Sequence, residues 1–148
     1  MDMKSIGECA TWLSIVSQLF ATRMEKLLEP SGLTLGQFSI LHHIIKPQLT
    51  GKTRISDIAK AVEVGQPAVT KAVVKFEKMG LVELHADEKD LRVKHVLVTH
   101  KGRALLEEIR YDMGPDLIDV LGRYTSEQLA GFKFMLSDLG KWLDQNRL

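Results

Sequence analysis

Between residues 64 and 80 the chain reads VGQPAVTKAVVKFEKMG, and its two sides ask for different surroundings. Val69, Ala72, Val73 and Phe76 recur at helical spacing and belong against a core. Gln66, Thr70, Lys71, Lys75 and Lys78 point the other way. Such a face offers hydrogen bonds and positive charge rather than a nucleophile. Elsewhere there is no glycine-rich phosphate loop, no HExxH helix, no Cys-x-x-Cys pair and no nucleophile elbow. No catalytic residue, metal or cofactor is therefore expected, and the chain reads as a binding protein rather than an enzyme.

The charge of the chain follows the same division. Net charge is only +1, yet residues 34–103 hold 12 Lys and Arg against 7 Asp and Glu, while the flanks hold 8 against 12. A local positive field attracts polyanions even on a nearly neutral chain. At 148 residues and 45% apolar content the chain can bury a core as one domain, 1–148. No apolar run approaches the roughly 18–20 residues of a membrane span, and the N-terminus does not read as a signal peptide. Cys9 has no second cysteine with which to form an internal disulfide, which suits a reducing cytoplasm.

The elements that must carry the polar face can be placed from periodicity. Leu13, Val16, Phe20, Met24 and Leu27, widened by Trp12 and Leu19, predict a helix over 5–28, stopped by EPSG. Thr34 caps a second helix over about 35–45, with Phe38, Leu41, Ile44 and Ile45 inward. KPQLTGKT (46–53) reads as a loop. A third helix follows, with Ser56 as its cap and Ile58, Ala59 and Val62 inside. After the turn at Gly65, Pro67 suits the first turn of the fourth helix, and Gly80 ends it. Two helices joined by a tight turn, the second with a polar outer face, make a helix-turn-helix.

The period then changes to about two. Leu81-Val82 open one strand, and Val93, Val96 and Val98 fall on the other, with DEKD (87–90) at the turn: a β-hairpin wing. His85 and His95 fall opposite each other across it, but two histidines do not complete a zinc site. Thr99 caps a further helix carrying Leu105, Ile109 and Met113, which Gly114-Pro115 is expected to break or kink. A last helix over about 126–146, capped by Ser126, has Leu129, Phe132, Leu136, Leu139 and Leu143 on one side and Met135 and Trp142 on another. The fold class is mainly α with a small hairpin wing. A winged helix-turn-helix lobe (34–100) is flanked by helical arms (1–33 and 101–148). Helices apolar on more than one face need a second covering surface, which a partner chain, or other helices of the same chain, can supply.

With these parts in order, the chain resembles the MarR family of bacterial transcriptional regulators over nearly its whole length. LTLGQFSIL (33–41) is similar to the opening of the family's second helix. ISDIAKAVEVGQPAVTKAVVKFEKMGLVE (55–83) resembles its helix-turn-helix, and DEKDLRVKHVLVTHKGRAL (87–105) its wing and following helix. The family wing often reads Asp-x-Arg-Asp-x-Arg; here Lys89 replaces the first arginine. Gly65 stands where Ser or Asp commonly caps the recognition helix.

The resemblance implies a homodimer, paired through the first and the two C-terminal helices, on a pseudo-palindromic operator in double-stranded DNA. Each recognition helix would enter a major groove. Gln66, Ala68 and Thr70 would then face base edges, and Lys71 and Lys75 would neutralise phosphates. Arg92 would enter the minor groove, oriented by Asp90, with Lys89 adding charge and Arg54 touching the backbone. The family also implies a repressor released by a small aromatic or other organic effector; Trp12, Arg23, His42, His43 and Met113 are the candidates to line its pocket. Cys9 lies where peroxide-sensing members carry theirs, so a redox-sensing regulator is an alternative. A winged-helix module that binds only protein is another, and it would show no duplex affinity.

Overall fold

The structure, a computed structural model, describes residues 2–45, 53–62 and 65–148. In chain order it comprises α1 (Met3–Leu28), a single 3-10 turn (Glu29–Ser31), α2 (Leu35–Ile45), β1 (Thr53–Arg54) and α3 (Ile55–Val62). Next come α4 (Gln66–Lys78), β2 (Val82–Ala86), β3 (Lys94–Val98), α5 (His100–Leu121) and α6 (Ser126–Gln145). The fold is mainly helical, with a small antiparallel sheet in the order β1-β3-β2. Two compact units, Met1–Arg110 and Tyr111–Leu148, divide the chain within α5.

In the first unit, α2, α3 and α4 pack on one another and α4 packs on β2. Val69, Val73 and Phe76 of α4 are fully buried, beside a core that includes Leu41, Ile58, Leu81 and Val96. This is the apolar side expected of α4. Its opposite side, with Gln66, Ala68, Thr70 and Lys71, is exposed. Thr34 and Gln37 form a reciprocal cap on α2: Gln37 N donates to Thr34 Oγ1 at 3.2 Å, and Thr34 N donates to Gln37 Oε1 at 3.1 Å.

The joint between α4, the sheet and α5 is drawn tight. Gly80 adopts φ 74°, the left-handed conformation that turns the chain out of α4. Thr99 Oγ1 donates to the Gly80 carbonyl at 2.6 Å and accepts from Gly102 N at 3.1 Å, while Thr99 N donates to the Leu81 carbonyl at 3.0 Å. A Cβ on Gly102 would stand 2.3 Å from the Leu81 carbonyl oxygen, so only glycine fits that approach.

In the second unit, Thr125 and Gln128 make a capping box at the start of α6. None of the residues of α6 is buried, and Phe134, Met135 and Trp142 are among its large exposed side chains.

Several expectations are corrected. α1 starts at Met3, earlier than residue 5, because Asp2 accepts from Lys4 N at 3.0 Å and caps it. Ser56 does not cap α3, which already begins at Ile55. Thr125, not Ser126, caps α6, since its hydroxyl receives Gln128 N at 3.2 Å. Pro115 does not break α5, which is helical from His100 to Leu121. Proline costs its helix the bond to the Tyr111 carbonyl, and because Tyr111 is exposed, water can take that place. Val93 lies in the wing turn rather than a strand, donating its N–H to the Asp90 carbonyl. The loop expected at 46–53 lies outside the described residues except for Thr53, which instead joins Arg54 in the two-residue strand β1.

Candidate nucleic-acid interface

The polar face of α4 begins at Gly65, which holds the N-cap position in an extended conformation without a side-chain cap. Its carbonyl instead receives the N–H groups of Ala68 (3.0 Å) and Val69 (3.3 Å). Gln66, Ala68, Thr70 and Lys71 are all exposed on the first two turns. Thr70 Oγ1 donates back to the Gln66 carbonyl at 2.9 Å, leaving its lone pairs to accept from outside.

Lys75 does not join them. Its ammonium donates to the Gly32 carbonyl at 2.7 Å and to Gln37 Oε1 at 2.9 Å. Two of its three protons therefore tie α4 to the start of α2, and the phosphate role expected of Lys75 gives way to an internal one. Residue spacing alone cannot reveal this, because the partners lie 43 and 38 positions away.

The wing carries the second cluster. Arg92 is 92% exposed, yet its guanidinium is not loose. Nε donates to Asp90 Oδ1 at 3.0 Å and Nη2 to Asp90 Oδ2 at 3.2 Å, a two-point clamp that fixes the plane of the group. The Arg92 guanidinium, together with its backbone N–H, holds the Asp90 carboxyl below its ordinary value. Asp87 in turn shapes the tip: its Oδ1 accepts from Lys89 N at 2.8 Å and Asp90 N at 3.1 Å, and its Oδ2 meets His95 Nε2 at 2.8 Å. These three donors, His95 foremost, hold its carboxyl at about 2, against an ordinary 3.8. Lys89 is exposed at the tip.

Arg54 belongs with the wing. In the sheet it lies opposite His95, and with Asp87, Glu88, Lys89, Asp90 and Val93 it lines a cleft of about 460 Å³. The short strand β1, pairing Thr53 with Val96, brings it there.

A helix with an exposed polar face, followed by a three-stranded wing whose tip presents a clamped arginine, is the winged helix-turn-helix arrangement. Residues 33–94 match the model of the MarR family. Over that stretch the chain is similar to the MarR-family winged helix.

Solved MarR structures share the fold across almost the whole chain. A MarR family protein from Bacillus stearothermophilus is 22% identical, with 97% of this chain and 98% of that one covered at a TM-score of 0.78. A mutant E. coli MarR complexed with operator DNA is 22% identical, with 94% and 99% covered at 0.75. MepR, a transcription regulator of the Staphylococcus aureus multidrug efflux pump MepA, is 21% identical, with 90% and 97% covered at 0.70.

The residues considered for a MarR-type effector site are placed as follows. Trp12 is 64% exposed on α1, and Arg23 lies further along the same helix. His42 and His43 end α2, their ring centroids 6.3 Å apart, and His42 Nδ1 lies 3.3 Å from Arg110 Nη2. Met113 is buried on α5. Cys9 is exposed on α1. The residue that sequence reasoning weighed only as half a metal site is His95. A histidine among the valines and leucines of a wing strand was the available signal that something polar is met there.

Proposed function

We propose that this chain is a dimeric, sequence-specific DNA-binding transcription regulator of the cytoplasm, a repressor released by a small organic effector. The observation that carries this reading is the pairing of two exposed surfaces on one lobe. The first turns of α4 offer Gln66, Ala68, Thr70 and Lys71, and the wing offers Arg92 held flat by Asp90. A glutamine amide can bond adenine at two points, a small alanine can lie on a thymine methyl, and a lysine can neutralise a phosphate. A planar guanidinium suits a narrow minor groove. Arg54 and Lys89, beside the same wing, add positive charge for the backbone.

Pairing of two chains is supported by α1 and α6. Leu19 of α1 is 66% exposed and Phe134 of α6 72% exposed, each on a helix with further exposed apolar side chains. Apolar area on this scale calls for a covering surface, and a second copy would present two reading helices to successive turns of one duplex. The E. coli MarR complexed with operator DNA has this fold, which supports the same use here.

Binding to duplex fragments selected from genomic DNA, measured across a salt series, tests the proposal. Log affinity should fall linearly with log salt, by about 0.9 for each phosphate neutralised. Absence of duplex affinity at low salt would reject the reading. Adding phenols and other small aromatic acids to the bound complex then tests release by an effector.

A further inference from the structure

The wing contains a buried polar group that its fold does not need. The His95 side chain is only 10% exposed, on the central strand β3. Its Nδ1 is buried and has no hydrogen-bond partner among the described residues. At such a position an aliphatic residue would pack without that nitrogen, so burying the imidazole carries a desolvation cost. The group gained in exchange is Nε2, 2.8 Å from Asp87 Oδ2. Because that carboxyl is held at about 2, it is ionised near neutral pH and accepts; Nε2 therefore carries the proton.

What the bond holds can be followed outward atom by atom. Asp87 Oδ2 is fixed by His95, which sets Oδ1 to receive the N–H groups of Lys89 and Asp90. Asp87 N donates to the Val93 carbonyl at 2.8 Å and Val93 N to the Asp90 carbonyl at 3.0 Å, closing the turn around it. The backbone of Asp90 is thereby pinned, and its carboxylate receives the Arg92 N–H at 3.1 Å and clamps the Arg92 guanidinium. The sheet reaches the exposed arginine through a continuous set of hydrogen bonds.

We propose that His95 is a positioning residue for DNA recognition: through Asp87 and Asp90 it sets the direction in which Arg92 leaves the wing. The proposal rests on the reading of Arg92 as a groove contact. An arginine held in place before contact loses less side-chain freedom on binding, and a hydrogen bond that secures it is repaid in affinity for the specific site.

The test separates affinity from stability. In the full-length protein, His95→Leu should weaken binding to a selected operator duplex about tenfold while the chain still unfolds in one cooperative thermal transition above the assay temperature, so that the loss is not one of folded protein. His95→Gln, whose amide can still donate to Asp87, should restore much of the affinity. In an Arg92→Ala background, His95→Leu should have little further effect, because the two act in series. Unaltered operator binding by His95→Leu, with Arg92→Ala still impaired, would overturn the relay alone. So would a loss that simply adds to that of Arg92→Ala. Full affinity of Arg92→Ala would overturn the wing reading on which the relay depends.

Discussion

Asp87 accepts three hydrogen bonds from groups that an unfolded chain would not bring to it, and its acidity records that. A carboxyl whose folded value is depressed stabilises the native state at pH above its unfolded value, and that contribution is lost as pH falls through the folded one. For Asp87 the window runs from an ordinary 3.8 down to about 2. Asp90 is lowered as well, by Arg92 first. Between pH 4 and 2 the wild-type chain should therefore lose more stability than Asp87→Asn, which has no carboxyl to protonate. Denaturant midpoints of the two chains across that range check it; parallel losses would show that the wing carboxyl contributes nothing. The wing arginine and its aspartate were legible in the sequence because both are local and two positions apart. His95 was legible only as an oddity, since its bond to Asp87 spans the hairpin and depends on which side of β3 faces inward.

At the scale of elements, the helices and the hairpin could be read from periodicity, and their ends less well. The cap positions lie two residues before Ser56 and one before Ser126 because neighbouring positions offer competing start signals: a short strand at Arg54 and a better box at Thr125 with Gln128. β1 has only two residues and owes its existence to pairing with β3, so it leaves no periodic trace. Lys75 belongs at this scale too, since it ties α4 to α2. Lys75→Met should lower thermal stability and duplex affinity together while leaving the salt slope unchanged. Lys71→Met should reduce that slope by about 1 with little effect on stability. A reduced slope for Lys75→Met would return it to the phosphate. Gly102→Ala drives a Cβ against the Leu81 carbonyl and should cost about 1–3 kcal/mol in equilibrium unfolding. An unchanged midpoint would mean that α5 can retreat without penalty.

For the whole molecule, the apolar faces of α1 and α6 are the feature with the largest consequence. Such faces are plain in the sequence as stripes on more than one side of a helix, but a stripe does not say what covers it. Met135 is 61% exposed and Trp142 59% exposed, so charged replacements there should leave each chain folded. If these faces join two copies, Met135→Glu with Trp142→Glu should shift the sedimenting species from dimer to monomer. Operator affinity should fall with it, since two half-sites would no longer be held by one particle. A monomeric wild-type protein that still binds its operator tightly would contradict the pairing.

The Thr99 hydroxyl bonds Gly80, just past α4, and the first turn of α5, and its amide bonds Leu81, the residue before β2. The two surfaces proposed to meet a duplex thus share one pivot. If both do meet DNA, a slight roll of the first turn of α5 would move them together. Thr99→Val, which keeps the shape and the amide bond to Leu81 but removes both hydroxyl bonds, should cost about 1–3 kcal/mol in equilibrium unfolding.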